Sequence, residues 1–136
     1  MTRLTRIELF ALIGAGAVGA GVHAAIAPEH LREWAPLGAS FVAVAILLAA
    51  AVAALVLRPE DRRPVAALGA LLATVAGGYF ITRLIAIPPL DPERESFDTL
   101  GICTTAIEVL GLVLAVHIHT PRRRLRYLSL SSGGRR

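Results

Sequence analysis

The sequence predicts an all-α fold, a polytopic four-helix transmembrane bundle with both termini cytoplasmic, and three observations carry that reading. Of 136 residues, 55% are hydrophobic and 18% charged, a balance outside that of ordinary soluble domains. The apolar residues fall into four runs, each near the roughly 20 residues a helix needs to cross about 30 Å of hydrocarbon. The arginines between the runs are distributed unevenly. Residues 3, 6, 58, 62, 63, 122, 123, 124, 126, 135 and 136 share one side, and only Arg32 and Arg94 lie on the other. The positive-inside rule makes the arginine-rich side cytoplasmic. The spans, about 7–27, 37–57, 65–87 and 99–119, make one transmembrane domain over 1–120, followed by a basic cytoplasmic tail at 121–136. No room remains for a soluble catalytic domain, so any chemistry belongs to the bundle or its two faces, and no enzymatic activity is expected.

The first span, Ile7 to Ala27, contains Gly14, Gly16 and Gly19 in the spacing of a dinucleotide-binding turn. That motif needs flanking parallel strands and an acidic residue about 20 positions on, where this chain has Gly38, Ala39, Ser40 and Phe41. The small residues are read instead as a surface for close helix contact. The basic start and Ala25-Ile26-Ala27 imitate a signal peptide, but the apolar stretch is longer than the usual 7 to 15 or so residues. Cleavage is therefore not expected. Pro28 to Trp34, with Glu29, His30, Arg32 and Glu33, reads as a compact polar connection on the outer side that ends in an interfacial aromatic.

Pro36 stands where a second helix begins, and Leu37 to Leu57 carries no charge, so its role is read as structural. Arg58 to Pro64 is a tight charged turn. Val65 to Ile87 forms the third span, interrupted by Arg83 and ended by Pro88-Pro89, which cannot continue the hydrogen-bond ladder. Leu90 to Asp98 is an acidic loop with Asp91, Glu93, Glu95 and Asp98 against Arg94. Asp98 or Thr99 then caps the fourth helix.

Thr99 to Thr120 is the most informative run, because it carries Glu108 near its midpoint. An ionisable residue inside a span is a functional candidate by default. At about 100° per residue, Gly101, Thr104, Thr105, Glu108, Gly111, Ala115 and His119 share one face and Ile102, Ala106, Leu110, Val113 and Leu114 the other. The first face is expected against protein, the second against lipid. A rise of about 1.5 Å per residue places His23 and Arg83 roughly 6 Å inside the outer boundary and Glu108 roughly 14 Å from it. An arginine side chain spans most of that difference. Glu108, Arg83 and His23 are thus expected to meet as a ligand or proton site, with Tyr79 and Thr104 as hydrogen-bonding neighbours. A plain structural Arg83–Glu108 pair fastening two helices fits the sequence equally well.

His23, Glu29, His30 and Glu33 are the candidate ligands for a transition metal, since imidazole and carboxylate suit zinc, iron or copper. Their spacing matches no strong ligand motif, so the cofactor is left open. Paired Glu-x-x-His sequences of di-iron bundles are absent. His23 and His117 lie some 20 Å apart in depth, which speaks against bis-histidine haem between them, since axial ligands lie at one depth. Glu8 is placed to pair with His119 or Arg122 at the inner end. Cys103, the only cysteine, excludes an intrachain disulfide and reads as a packing residue. The pI near 10.5 is explained by arginines flanking the spans, so nucleic acid is not an expected partner.

The stretch His23-Ala24-Ala25-Ile26-Ala27-Pro28-Glu29-His30-Leu31, continued by Trp34-Ala35-Pro36-Leu37-Gly38, resembles small uncharacterised four-span membrane proteins of high-GC Gram-positive bacteria. Arg83 followed by Ile87-Pro88, with a glutamate in the last span, is similar to that group as well. The resemblance implies a multi-pass protein of the bacterial plasma membrane and no defined activity. Four-span multidrug exporters match in size, but their essential glutamate lies inside the first helix, whereas Glu8 sits near the cytoplasmic end. The expectation is a binding or accessory membrane subunit with a polar centre in the outer half of the bundle. The alternative is a small proton-coupled transporter using Glu108. Expected partners are the lipid bilayer and either a second copy or another membrane subunit.

Overall fold

The computed structural model describes residues 3–88 and 93–120, with side chains from Arg6 onward. The tail at 121–136, Arg122 as a partner for Glu8, and Asp91 of the acidic loop lie outside the described residues. Four packed α-helices account for nearly all of the rest: α1 (Arg3–Glu33), α2 (Ala35–Leu57), α3 (Arg62–Leu84) and α4 (Thr99–His119). Each is long and apolar enough to cross a membrane; α4, the shortest at 21 residues, is ~32 Å long at 1.5 Å per residue.

Each helix packs against its neighbours in sequence, and α4 returns to α1, closing a ring. Contacts at the two ends fix the alternation of direction. At one end Glu8 of α1 meets His117 of α4, and Arg62 of α3 reaches the carbonyl of His119. At the other, His30 of α1 lies beside Phe41 of α2, and Arg83 of α3 beside Asp98 at the start of α4. These are called the Glu8 end and the His30 end. The partner of Glu8 is thus His117 rather than His119, whose backbone oxygen is taken by Arg62.

The Glu8 half is a solid apolar core, with Leu12, Leu48, Leu55, Leu68 and Leu72 buried outright and Leu9, Val65 and Ala115 around them. The outer surfaces are equally apolar. On α4 the buried positions are Thr104, Thr105, Glu108, Gly111 and Ala115, while Leu110 and Val113 are 59% and 58% exposed. So continuous an exposed apolar belt belongs in lipid, which makes this a multi-pass membrane protein by helix length and composition. Cys103 is exposed on that belt and is not a packing residue.

Two helices, α1 and α3, differ in extent from the sequence expectation. Residues 28–33 are not a connection but the last turn and a half of α1, running through Pro28. Proline removes one backbone hydrogen bond and crowds the preceding turn; here the continuing helix keeps Ala27 2% exposed in the bundle and the His30 ring tilted against Phe41 at 4.5 Å between centroids. Tertiary contact outweighs local propensity. The α1–α2 connection is then Trp34 alone, in an extended conformation. So abrupt a reversal brings the two backbones together, and a Cβ on Gly38 would collide with the backbone nitrogen and Cα of Leu31.

The second difference is in α3, which starts at Arg62 with the Asp61 side chain accepting from Arg63 N–H at 2.9 Å. Pro64 falls in its first turn, where its missing N–H costs nothing. The helix stops at Leu84, short of Ile87, because the returning loop supplies its cap: Glu95 N–H donates to the Thr82 carbonyl at 3.2 Å.

Candidate functional site

The His30 half is hollow where the Glu8 half is solid. A cavity of about 520 Å³ lies between the helices there, within the ~300–1,000 Å³ typical of small-molecule sites. All the residues singled out in the sequence face it: His23, Glu29, His30 and Glu33 from α1, Tyr79 and Arg83 from α3, and Thr104 and Glu108 from α4. The arrangement among them differs from the expected one.

Glu108 forms the floor. It is 1% exposed, and its Oε1 has no hydrogen-bond partner. The nearest imidazole nitrogen is His23 Nδ1 at 3.9 Å, beyond hydrogen-bonding range. That nitrogen is engaged elsewhere, donating to the carbonyl of Gly19 at 2.8 Å. Since a carbonyl only accepts, Nδ1 carries the hydrogen, and in the neutral ring the lone pair sits on Nε2. Thr104 is no donor to Glu108 either, because its hydroxyl bonds back to the Leu100 carbonyl at 2.8 Å, a common fate of helical threonines. The carboxyl is thus held by packing, with Oε1 3.3 Å from where a Cβ on Gly19 would stand.

Arg83 does not pair with Glu108. Its Nη2 meets Asp98 Oδ2 at 3.2 Å, its Nη1 donates to Thr82 Oγ1 at 2.9 Å, and its guanidinium lies 3.9 Å over the Tyr79 ring. The pairing expected from depth alone lost to a partner one turn beyond Gly101. Asp98 was already oriented there as the cap of α4, accepting from Gly101 N–H at 2.7 Å, and a side chain fixed in that way is the cheaper counter-ion. The Gly101 N–H, and after it the Arg83 guanidinium, hold the Asp98 carboxyl below its ordinary pKa. Tyr79 adds a long contact from its hydroxyl to the Asp98 carbonyl at 3.4 Å. A side chain on Gly101 would strike the Tyr79 ring, so glycine at this position is what lets the aromatic lie under the arginine.

His30 repeats the geometry of His23 two turns on, with Nδ1 bonded to the Ile26 carbonyl at 3.1 Å. The two imidazoles flank Phe41, at 5.4 and 4.5 Å between ring centroids. His30 Nε2 stands 4.0 Å from Glu95 Oε1. Glu29 and Glu33 are exposed at the rim. Among the described residues no three His, Cys, Asp or Glu side chains gather as metal ligands, so the four candidates do not form one set.

No family model, curated protein or solved structure matches this chain. The similarity to high-GC Gram-positive membrane proteins is therefore not extended to a family or a taxon.

Among the lining residues outside the set that the sequence singles out for the site are Ser40, Phe41, Asp98 and Glu95. Ser40 and Phe41 lie inside a span whose lack of charge reads as structural, although they are its only hydroxyl and its only aromatic, which is the signal that marks them. The sequence marks Asp98 as a cap and gives no sign that it is the partner of Arg83. Glu95 stands in the sequence only as one charge of an acidic loop.

Proposed function

We propose that this chain is a binding or accessory subunit of a bacterial plasma membrane, with both termini cytoplasmic and a small-ligand site in the outer half of the bundle. Glu108 is the central residue of that site, with His23, Thr104, Arg83 and Tyr79 around it. The observation that carries the reading is the juxtaposition of a buried carboxyl oxygen lacking any partner with a cavity of about 520 Å³. Buried polar groups are nearly always satisfied, and an orphan beside an open volume is where a ligand supplies the missing bond. The leucine-filled Glu8 half favours binding over transport, since proton transfer through it would need a polar path across Leu12, Leu48, Leu68 and Leu72. A small molecule is favoured over a transition metal by the scatter of the four candidate ligands.

Native mass spectrometry of the protein, extracted gently from its membrane, tests this. The expected result is a bound mass in the wild type that disappears in Ser40→Phe, which fills the cavity from α2. A wild type that carries no bound mass and shows no saturable uptake of small amphiphiles would overturn it.

A further inference from the structure

The chemistry of the cavity wall narrows the ligand. We infer that the site takes an organic ammonium ion with an apolar body, its N–H group donating to Glu108; this rests on the binding-site reading above. Oε1 of Glu108 needs a donor; His23 Nδ1, 3.9 Å away, and the Thr104 hydroxyl one turn before Glu108 are spent on the carbonyls of Gly19 and Leu100. Among the described residues, the one always-charged cationic side chain on the wall, Arg83, is held by Asp98 and covered by Tyr79. Glu29, Glu33 and Glu95 remain towards the mouth, a field that draws cations and repels anions.

The rest of the lining suits a hydrocarbon body. Val22, Ile26, Val44 and Val75 contribute apolar wall, and Phe41 with its flanking imidazoles presents an aromatic surface. Cations are stabilised over such faces. A bare metal ion needs several converging ligands, which the described residues do not provide; an ammonium needs one good acceptor and apolar surroundings. The competing demand comes from Arg83 Nε, which among the described residues is the other buried side-chain polar atom without a partner; it is a donor and would select a carboxylate.

The test uses the full-length protein in phosphatidylcholine nanodiscs and three probes of one shape: 2-(1-naphthyl)ethylammonium, the corresponding alcohol, and 1-naphthylacetate, followed by naphthyl fluorescence. The ammonium should bind saturably and at least about tenfold more tightly than either other probe, the scale of one charge-assisted hydrogen bond. Glu108→Gln should abolish that preference. Because the three-probe comparison is made on the wild type, it stands even if the variant does not fold. Equal binding of alcohol and ammonium, or tighter binding of the carboxylate, overturns the ammonium assignment and leaves the binding site intact. Failure of all three to bind overturns both. Nanodiscs containing phosphatidylethanolamine identify the source: displacement of the probe points to the lipid headgroup ammonium and undiminished binding to a free amine, and either retains the inference.

Discussion

Replacing Glu108 by leucine should stabilise the bundle, against the usual direction for a fully buried residue. Most core substitutions remove contacts; this one removes an acceptor that nothing satisfies. Leaving a buried polar atom unpaired costs ~1–3 kcal/mol, whereas an apolar group of the same shape is neutral or favourable. Leucine nearly matches glutamate in bulk, and it would extend the layer of Leu48 and Leu72 by one residue towards the cavity. The loss on the other side is the contact with His23 at 3.9 Å, which is too long to be a hydrogen bond and therefore subtracts little. The expected net gain is ~1–2 kcal/mol. Unfolding by sodium dodecyl sulfate in mixed micelles, followed by far-UV circular dichroism, measures it. Glu108→Gln serves as the reference, because it keeps a polar atom in the same place and should gain nothing. A leucine variant less stable than wild type by more than ~1 kcal/mol would show that the carboxyl has a partner after all, and the argument for an unsatisfied site would collapse. Stability gained where ligand binding is lost is the trade expected of a residue retained for function.

Other expectations follow from the packing and the caps. Gly38→Ala drives a methyl into the backbone of Leu31 and should cost ~1–3 kcal/mol or prevent folding, read by the same unfolding assay. Arg83→Leu and Asp98→Ala should be non-additive, with a coupling of about 0.5 kcal/mol or more, because Asp98 is 49% exposed and solvent screens the pair; Arg83→Leu and Glu108→Leu should simply add. The folded-state pKa of Asp98 is lowered, so its contribution is present above the ordinary aspartate value and is lost as the pH falls through the folded one. The wild type, but not Asp98→Ala, should therefore lose that increment on acidification. A reporter active only in the cytoplasm and fused after Arg136 should be active; silence at normal membrane levels would invert the orientation.

The fold was legible because lipid imposes a simple rule. Length, absence of charge and proline punctuation marked four helices, and the 100° rotation of α4 separated Thr104, Thr105, Glu108, Gly111 and Ala115, which are buried, from Ile102, Leu110 and Val113, which are exposed. The run through Pro28 was hidden, because proline speaks against a helix locally and only the seat of His30 against Phe41 argues for one. Depth along the helices brought the right residues to one region, yet depth is a single coordinate. It could not show that Arg83 turns towards Asp98, which required knowing that the cap of α4 had already fixed a carboxylate within reach. Nor did a span without charge advertise that Ser40 and Phe41 line the site.

The division of the bundle into a hollow half and a leucine-packed half has an electrical consequence. A transmembrane voltage falls mainly across the part of a protein that water does not enter, which here is the layer from Leu12 to Leu55. The mouth of the cavity opens beside the exposed Glu33 and Ser96, so an ion arriving at Glu108 from that side would cross little of the field. Moving one charge through the full potential is worth about 2.3 kcal/mol per 100 mV; occupancy of this site should respond to only a small part of that. A cation of the kind proposed would thus reach Glu108 largely unaffected by the energised state of the membrane.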